Sequence, residues 1–483
     1  MKTKKGILTL AALLTAAVAA FARVTPGPLM TDNMVLQQNS YCRIYGKADP
    51  GAEITVNPSW NGKTYKTITD RTGEWCLAVE TPEGSFTHHT LTISDGEPTT
   101  LKNVLIGEVW LASGQSNMEM PLRGFPGCCV EGGYDEITES RQYADKVRFF
   151  TVPLAQSYEL VDTIAAEWTV PSPDTSPAYS ALAWHYATQL ADVLDVPVGI
   201  VSAAYGGAKV ESWTPRELLM EYSDVSLNPE DIEKIVPYHR PMLMYNAMFN
   251  PLKNYAYRGI IWYQGCSNVA TYATYADRLA AMVKRWRDEI GLGDIPFYAV
   301  EIAPYQYGDK GEKGRSPFLR EAQWEAVKRI PNSGMISTND LVKPYERYNI
   351  HPGDKASAGH RLGHLALNKT YGKKQFFAES PRYKSHRFID GAAWVAIHSP
   401  SNGICRNYDV KGFELAGPDK VFHPADSVWL HWQTNEMVVS SKEVPEPVAV
   451  RYGFRDFLPG TLYGGNYLPL IPFRSDDWDS PTD

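Results

Sequence analysis

An apolar run that ends on a serine is the first place in this 483-residue chain where the residue types could do chemistry. Val109-Trp110-Leu111-Ala112-Ser113-Gly114-Gln115-Ser116-Asn117-Met118 reads as a strand that enters a tight turn and stops at Ser116 among polar groups. A hydroxyl presented there, at the rim of an α/β sheet, lies where a base can reach it. The layout is not the nucleophile elbow Gly-x-Ser-x-Gly, because Met118 takes the place of the second glycine. In a parallel sheet the crevice forms at the carboxyl ends of the strands. That rule selects Gly206, Gln264 and the Asp340 region beside Ser116, since each follows an apolar run.

The elements that must position these groups are legible from periodicity. Strands are predicted at Val104–Ala112, Val198–Ala204, Gly259–Tyr263, Phe297–Ile302 and Gly334–Asn339, with amphipathic helices between them. Leu182, Tyr186, Leu190 and Val193 share one helical face; Tyr275, Leu279, Met282, Trp286 and Ile290 share another. A last helix is expected from about Lys355 to Leu367. Apolar strands alternating with helices imply an α/β fold, a parallel sheet covered by helices on both sides. Before it, the chain alternates as in a β-sandwich: Ile54-Thr55-Val56 and Thr67-Ile68-Thr69 flank the hairpin signal Asn61-Gly62. After it, Trp394–Ile397, Val428–Leu430 and Val448–Val450 read as strands of a second β-rich module. The expected division is a leader at 1–22, a β-sandwich module at 23–103, the α/β domain at 104–380 and a C-terminal β-rich module at 381–483. Proteolysis is expected around 95–105 or 375–390.

Composition narrows the classes. A net charge of −8 gives no electrostatic reason for a nucleic-acid partner. Aromatics at 12% suit stacking on sugar rings, but packing in β-rich domains accounts for the larger share. Lys2, Lys4 and Lys5, the apolar Ile7 to Val18 and Ala20-Phe21-Ala22 read as an export signal cleaved before Arg23, predicting a secreted or periplasmic protein with no membrane span. Six cysteines are few for a disulfide scaffold, though Cys42 and Cys76 could pair in one small domain. His360 and His364, four apart on a predicted helix, could share a metal. The segment lacks the glutamate of a zincin and a third ligand, so neither metal nor cofactor is expected.

Four blocks in order carry a resemblance: Gly114-Gln115-Ser116-Asn117-Met118; Tyr205-Gly206-Gly207-Ala208 with Glu211-Ser212-Trp213; Trp262-Tyr263-Gln264-Gly265; and Asn349-Ile350-His351-Pro352 with Lys355 and Arg361-Leu362. They resemble the SGNH esterases, in the branch of sialate O-acetylesterases and acetylxylan esterases, and the tail Pro472-Phe473-Arg474 with Asp476-Asp477-Trp478 is similar to the sialate group. The resemblance implies Ser116 as nucleophile and His351 as its base, 235 residues on and brought near only by the fold. For the oxyanion it points to the N–H of Ser116, the N–H of Gly207 (or Gly206) and the Gln264 amide. Cys266 stands where the family has a glutamate that resembles a triad acid. Three readings follow. Another carboxylate serves, Asp340 first and Glu301 or Glu346 behind it; a Ser–His dyad is steered by a backbone carbonyl; or the protein is an inactive sugar binder. The expected activity is removal of O-acetyl groups from carbohydrate, with O-acetylated sialic acid ahead of acetylated xylan.

Overall fold

The computed structural model describes residues 24–308, 313–401, 403–405 and 409–479. The export signal expected at 1–22 lies outside them. At the centre is the strand β1 (Pro98–Gly114). With β2 (Val147–Thr151), β3 (Val198–Ala204), β4 (Gly259–Tyr263), β5 (Phe297–Val300) and β6 (Ser333–Ile336) it forms a parallel sheet in the order β2-β3-β1-β4-β5-β6. The chain begins in the middle, builds out to one side, then crosses to the other. The strand order therefore reverses around β1, and the carboxyl ends of β3, β1 and β4 are the switch point at which such sheets bind ligands.

Alternation along β1 explains why both faces are covered. Val109 and Leu111 belong to one apolar cluster, while Trp110 and Ala112 belong to another. Helices α2 (Ala181–Leu194) and α5 (Lys355–Lys369) pack on each other over the Trp110 side, burying Leu182, Tyr186, Leu190, Leu362 and Leu365. Helices α3 (Tyr272–Ile290) and α4 (Ser316–Arg329) cover the opposite side with Tyr275, Leu279, Met282, Trp286 and Leu319. A short helix, α1 (Ser116–Glu119), follows β1 directly.

The strand ends correct the expected division at 103/104. Residues 98–106 of β1 pair with Ser85–Ser94, Leu105–Gly107 pair with Val35–Gln37, and the rest of the same strand pairs with β3 and β4. The sheet thus passes from the N-terminal module into the α/β core without a linker, and within 95–105 only the turn at Asp95–Glu97 lies outside the strands. The junction is pinned by Glu108, fully buried, which accepts from Arg258 (2.7 and 3.1 Å), Gln37, Gln38 and the Tyr371 hydroxyl.

The asparagine-glycine hairpin pairs Ile54 with Thr67. Cys42 and Cys76 sit on neighbouring antiparallel strands, but Tyr45 is the residue opposite Cys76. Three positions of alternation place the two thiols on opposite faces, one buried and one exposed, and they form no disulfide. At the other end, two four-stranded antiparallel sheets enclose Val395, Phe413, Leu415, Val439 and Tyr452. That unit docks on α4: Asp456 accepts from the Gly314 and Ser316 N–H groups (2.7 and 3.2 Å), and Arg474 pairs with Glu321 at 2.9 Å.

Candidate active site

Two glycines allow β1 and β4 to end against each other. Gly114 has φ +137, and a Cβ there would lie 2.2 Å from the Tyr263 carbonyl oxygen. Gly265 has φ +155, and its Cβ would meet Ile302 at 2.8 Å. Gln115 closes the junction: its N–H donates to Tyr263 O and its side-chain oxygen accepts from the Gly265 N–H, both at 2.9 Å. Ser116 is then the first residue of α1, largely buried just past the carboxyl end of β1. Its own N–H precedes the first intrahelical bond and so is available to a ligand.

Asn117 carries the serine loop across to the histidine loop. Its amide donates to Ile350 O at 2.9 Å, the residue before His351, and its carbonyl accepts from the buried Lys355 ammonium at 2.8 Å. Lys355 also donates to Pro352 O at 2.6 Å, on the other side of His351. One ammonium thus ties the residue after the nucleophile to the residue after the base. Burial pushes Lys355 down to about 8, while nearby Glu346, Asp354 and Cys266 favour its charge. His351 is half-buried, its ring edge-on to Phe125 at 5.4 Å and its backbone N–H donating to Asn349 Oδ1 at 3.0 Å. Burial first, and the Lys355 charge second, push its imidazole down to about 4. It is therefore neutral at ordinary pH, the form that can accept a proton.

The carboxylates expected to serve that ring are engaged elsewhere. Asp340, the first choice, faces Arg361 of α5 with both oxygens at 2.7 Å, in a pair whose side chains are only 6% and 10% exposed. A guanidinium fork fixes a carboxylate's direction as well as its charge, so Asp340 is an anchor of α5 rather than an orienter of His351. Glu301 accepts from Trp324 and Ser337, and Glu346 caps the loop by accepting from the Gly353 and Lys343 N–H groups. Among the described residues no carboxylate bonds to the His351 ring. Cys266, 6% exposed, opens the turn after β4 and lies close enough to Lys355 to act on its charge.

The oxyanion donors divide in the same way. Gln264 is fully buried and already spends its amide: Nε2 donates to Ala208 O (3.0 Å) and Asn268 Oδ1 (2.8 Å), while its oxygen accepts from the Tyr275 hydroxyl. It holds the loop and has no donor left for an oxyanion. The Tyr205–Ala208 turn is closed by Ala208 N–H to Tyr205 O, with Gly207 at φ +77 in its third position. A Cβ at Gly207 would come within 2.5 Å of the Tyr238 ring. Asn268 joins this turn to the chain behind it, accepting from the Val210 N–H and donating to Glu211, which pairs with Arg278 at 2.5 Å. Sequence reasoning missed Asn268 and Glu119, whose carboxylate accepts from the Gly206 N–H at 2.5 Å. The signal for Glu119 was its spacing: three residues after Ser116 lies on the same side of a helical turn. His360 and His364 turn to the His185 and Phe376 rings, and the described residues contain no cluster of three metal-ligating side chains.

The model of the family described as carbohydrate esterase, sialic acid-specific acetylesterase, matches residues 106–369. The chain is 27% identical over 387 residues to the sialate O-acetylesterase of Homo sapiens, across 73% of this chain and 72% of that protein. It is 27% identical over 443 residues to the Mus musculus sialate O-acetylesterase, across 79% and 80%. The crystal structure of a carbohydrate acetylesterase from Xanthomonas citri superposes with a TM-score of 0.83 at 30% identity, covering 94% of this chain and 100% of the other.

Proposed function

The chain belongs to the carbohydrate esterase family of sialic acid-specific acetylesterases, and on that premise we propose that it removes O-acetyl groups from sialic acid through an acyl-enzyme on Ser116. Its reaction class, hydrolysis of a carboxylic ester of carbohydrate, follows from the family. The assignment of roles rests on one observation above the others: the Asn117 to Ile350 hydrogen bond that brings the serine loop and the histidine loop together at the carboxyl end of β1.

In the first half-reaction the Ser116 oxygen attacks the acetyl carbon and its proton passes to the neutral His351. Negative charge collects on the former carbonyl oxygen, which the N–H groups of Ser116 and Gly207 receive. The intermediate collapses as His351 returns the proton to the departing sugar oxygen. Water then repeats the sequence in reverse order and frees acetate. The imidazolium formed between these steps stands near the Lys355 ammonium, and among the described residues no carboxylate bonds to it, so on this reading the site runs as a Ser–His dyad. That same imbalance favours a second reading, a sugar-binding protein with little turnover. The lysine-rich start and Ala20-Phe21-Ala22 support export to the periplasm or exterior.

Acetate release from O-acetylated sialic acid and from acetylated xylan tests the proposal. The wild type is expected to favour the sialic acid ester, and Ser116→Ala to abolish both activities with an unchanged melting temperature. Preference for xylan would replace the substrate; an active Ser116→Ala enzyme would remove the nucleophile; binding without any acetate release would leave the second reading.

A further inference from the structure

The Gly-Gly turn after β3 is bonded at nearly every point. The Tyr205 N–H donates to Gly114 O at 3.2 Å, and the Ala208 N–H to Tyr205 O at 3.1 Å. The Ala208 carbonyl is taken by Gln264. The Gly206 N–H is taken by Glu119. Among the described residues the Gly207 N–H alone in this turn has no acceptor. Two consecutive glycines have little steric preference of their own, so the direction of that N–H must be imposed from outside. Turns of this form and their mirror-peptide relatives differ by a rotation of the central peptide, here the one carrying the Gly207 N–H.

Tyr238 closes one side of the turn, since its ring stands where a Cβ at 207 would go. Glu119 closes the other. Its Oε2 lies 3.1 Å from the Cβ position of Gly206, which is itself 3.6 Å from the Ser116 Cβ. The carboxylate therefore sits beside the nucleophile, on the same helical turn, and grips the Tyr205–Gly206 peptide, the one just before the peptide that carries the Gly207 N–H. Burial pushes its carboxyl upward, and the bond from the Gly206 N–H partly offsets this.

We propose that Glu119 is a positioning residue for the oxyanion site: by accepting from the Gly206 N–H it fixes the turn so that the Gly207 N–H faces the carbonyl oxygen of the ester attacked by Ser116. The inference rests on Ser116 being the nucleophile. It gives the carboxylate a role in aiming a donor, distinct from any contact with the sugar.

The test compares Glu119→Ala and Glu119→Gln with wild type on p-nitrophenyl acetate, with methylboronic acid as a tetrahedral mimic. Glu119→Ala is expected to lower kcat ~10- to 100-fold, to leave KM within about threefold, and to weaken methylboronic acid by a factor similar to the loss in kcat. Glu119→Gln should restore most of the loss, because an amide oxygen accepts from the same N–H. Glu119→Asp, one methylene short of that N–H, takes the place of the alanine variant if the latter does not fold. A kcat for Glu119→Ala within about twofold of wild type overturns the proposal. So does a glutamine variant as impaired as alanine, or a loss of kcat with unchanged affinity for methylboronic acid. Full activity in Ser116→Ala overturns the nucleophile and this inference together; an inactive Ser116→Ala beside a fully active Glu119→Ala overturns this inference alone.

Discussion

Lys355→Met separates stability from catalysis in this site. The ammonium is 2% exposed and makes hydrogen bonds of 2.8 and 2.6 Å to Asn117 and Pro352. Hydrogen bonds from a charged donor contribute about 1.5–3 kcal/mol each. Against that, burial draws the lysine from 10.5 down to about 8. At 1.36 kcal/mol per pH unit this costs the charged form about 3 kcal/mol at neutral pH. The two effects are of similar size, and an isosteric apolar chain in such a place is often neutral. The melting temperature at pH 7 should therefore move by no more than a few degrees. Catalysis should suffer more, because the tie across His351 is gone; a displacement of roughly 1 Å costs about 100-fold in kcat. Two signatures in pH accompany this. The wild-type acid limb of kcat/KM should fall at about pH 4, where His351 takes its proton, and in Lys355→Met it should move to higher pH as the neighbouring charge is lost. Because the folded lysine releases its proton near 8 and the unfolded one near 10.5, wild-type stability gains with pH across that interval. That gain, fully present above 10.5 and lost as the pH falls through about 8, should be missing from the variant. The assays are p-nitrophenyl acetate hydrolysis from pH 3.5 to 9 and calorimetry from pH 7 to 10.5. A variant with wild-type kcat, or with its acid limb displaced to lower pH, would refute the reasoning.

Asp340→Asn should cost stability rather than turnover: breaking a largely buried carboxylate–guanidinium pair is worth about 3 kcal/mol, read as a lower melting temperature with kcat within about threefold of wild type. Cys266→Glu places a carboxylate beside Lys355 and near the histidine loop; kcat should rise and the acid limb of kcat/KM should move upward, measured on the same ester. No change in either quantity would mean that a charge at position 266 does not reach the imidazole.

Strands and helices were legible wherever burial on both sides makes a run apolar from end to end. Val198–Ala204 and Gly259–Tyr263 have their expected bounds, and the helices at Leu182 and Tyr275 lie on their expected faces. Pairing was not legible. Nothing in residues 98–107 records that one strand serves two modules, and the alternation that separates Cys42 from Cys76 depends on a register set by the partner strand. In the site, the position of a group after a strand end located Ser116, Gly206, Gln264 and Asp340 at once, but not the direction of their hydrogen bonds. Gln264 and Asp340 turn away because Asn268 and Arg361 claim them, and those partners come from other elements. Glu119 is the reverse case. It appears in sequence as an ordinary charge near a motif, and only the return of the chain at Gly206 gives it a purpose.

The continuity of β1 also bears on how this protein comes into being. Chains emerge from the ribosome in order, and N-terminal units fold first. The last strand of the first module is the middle strand of the catalytic sheet, so completing the small unit already lays down the template on which β3 and β4 later assemble. A parallel sheet built from distant segments is otherwise slow to form, because its contacts close long loops. Here the first of those contacts finds half of its surface in place. A fragment starting at 104 would retain every residue of the site yet lack the scaffold that aligns its central strand, and should refold much more slowly than the intact chain.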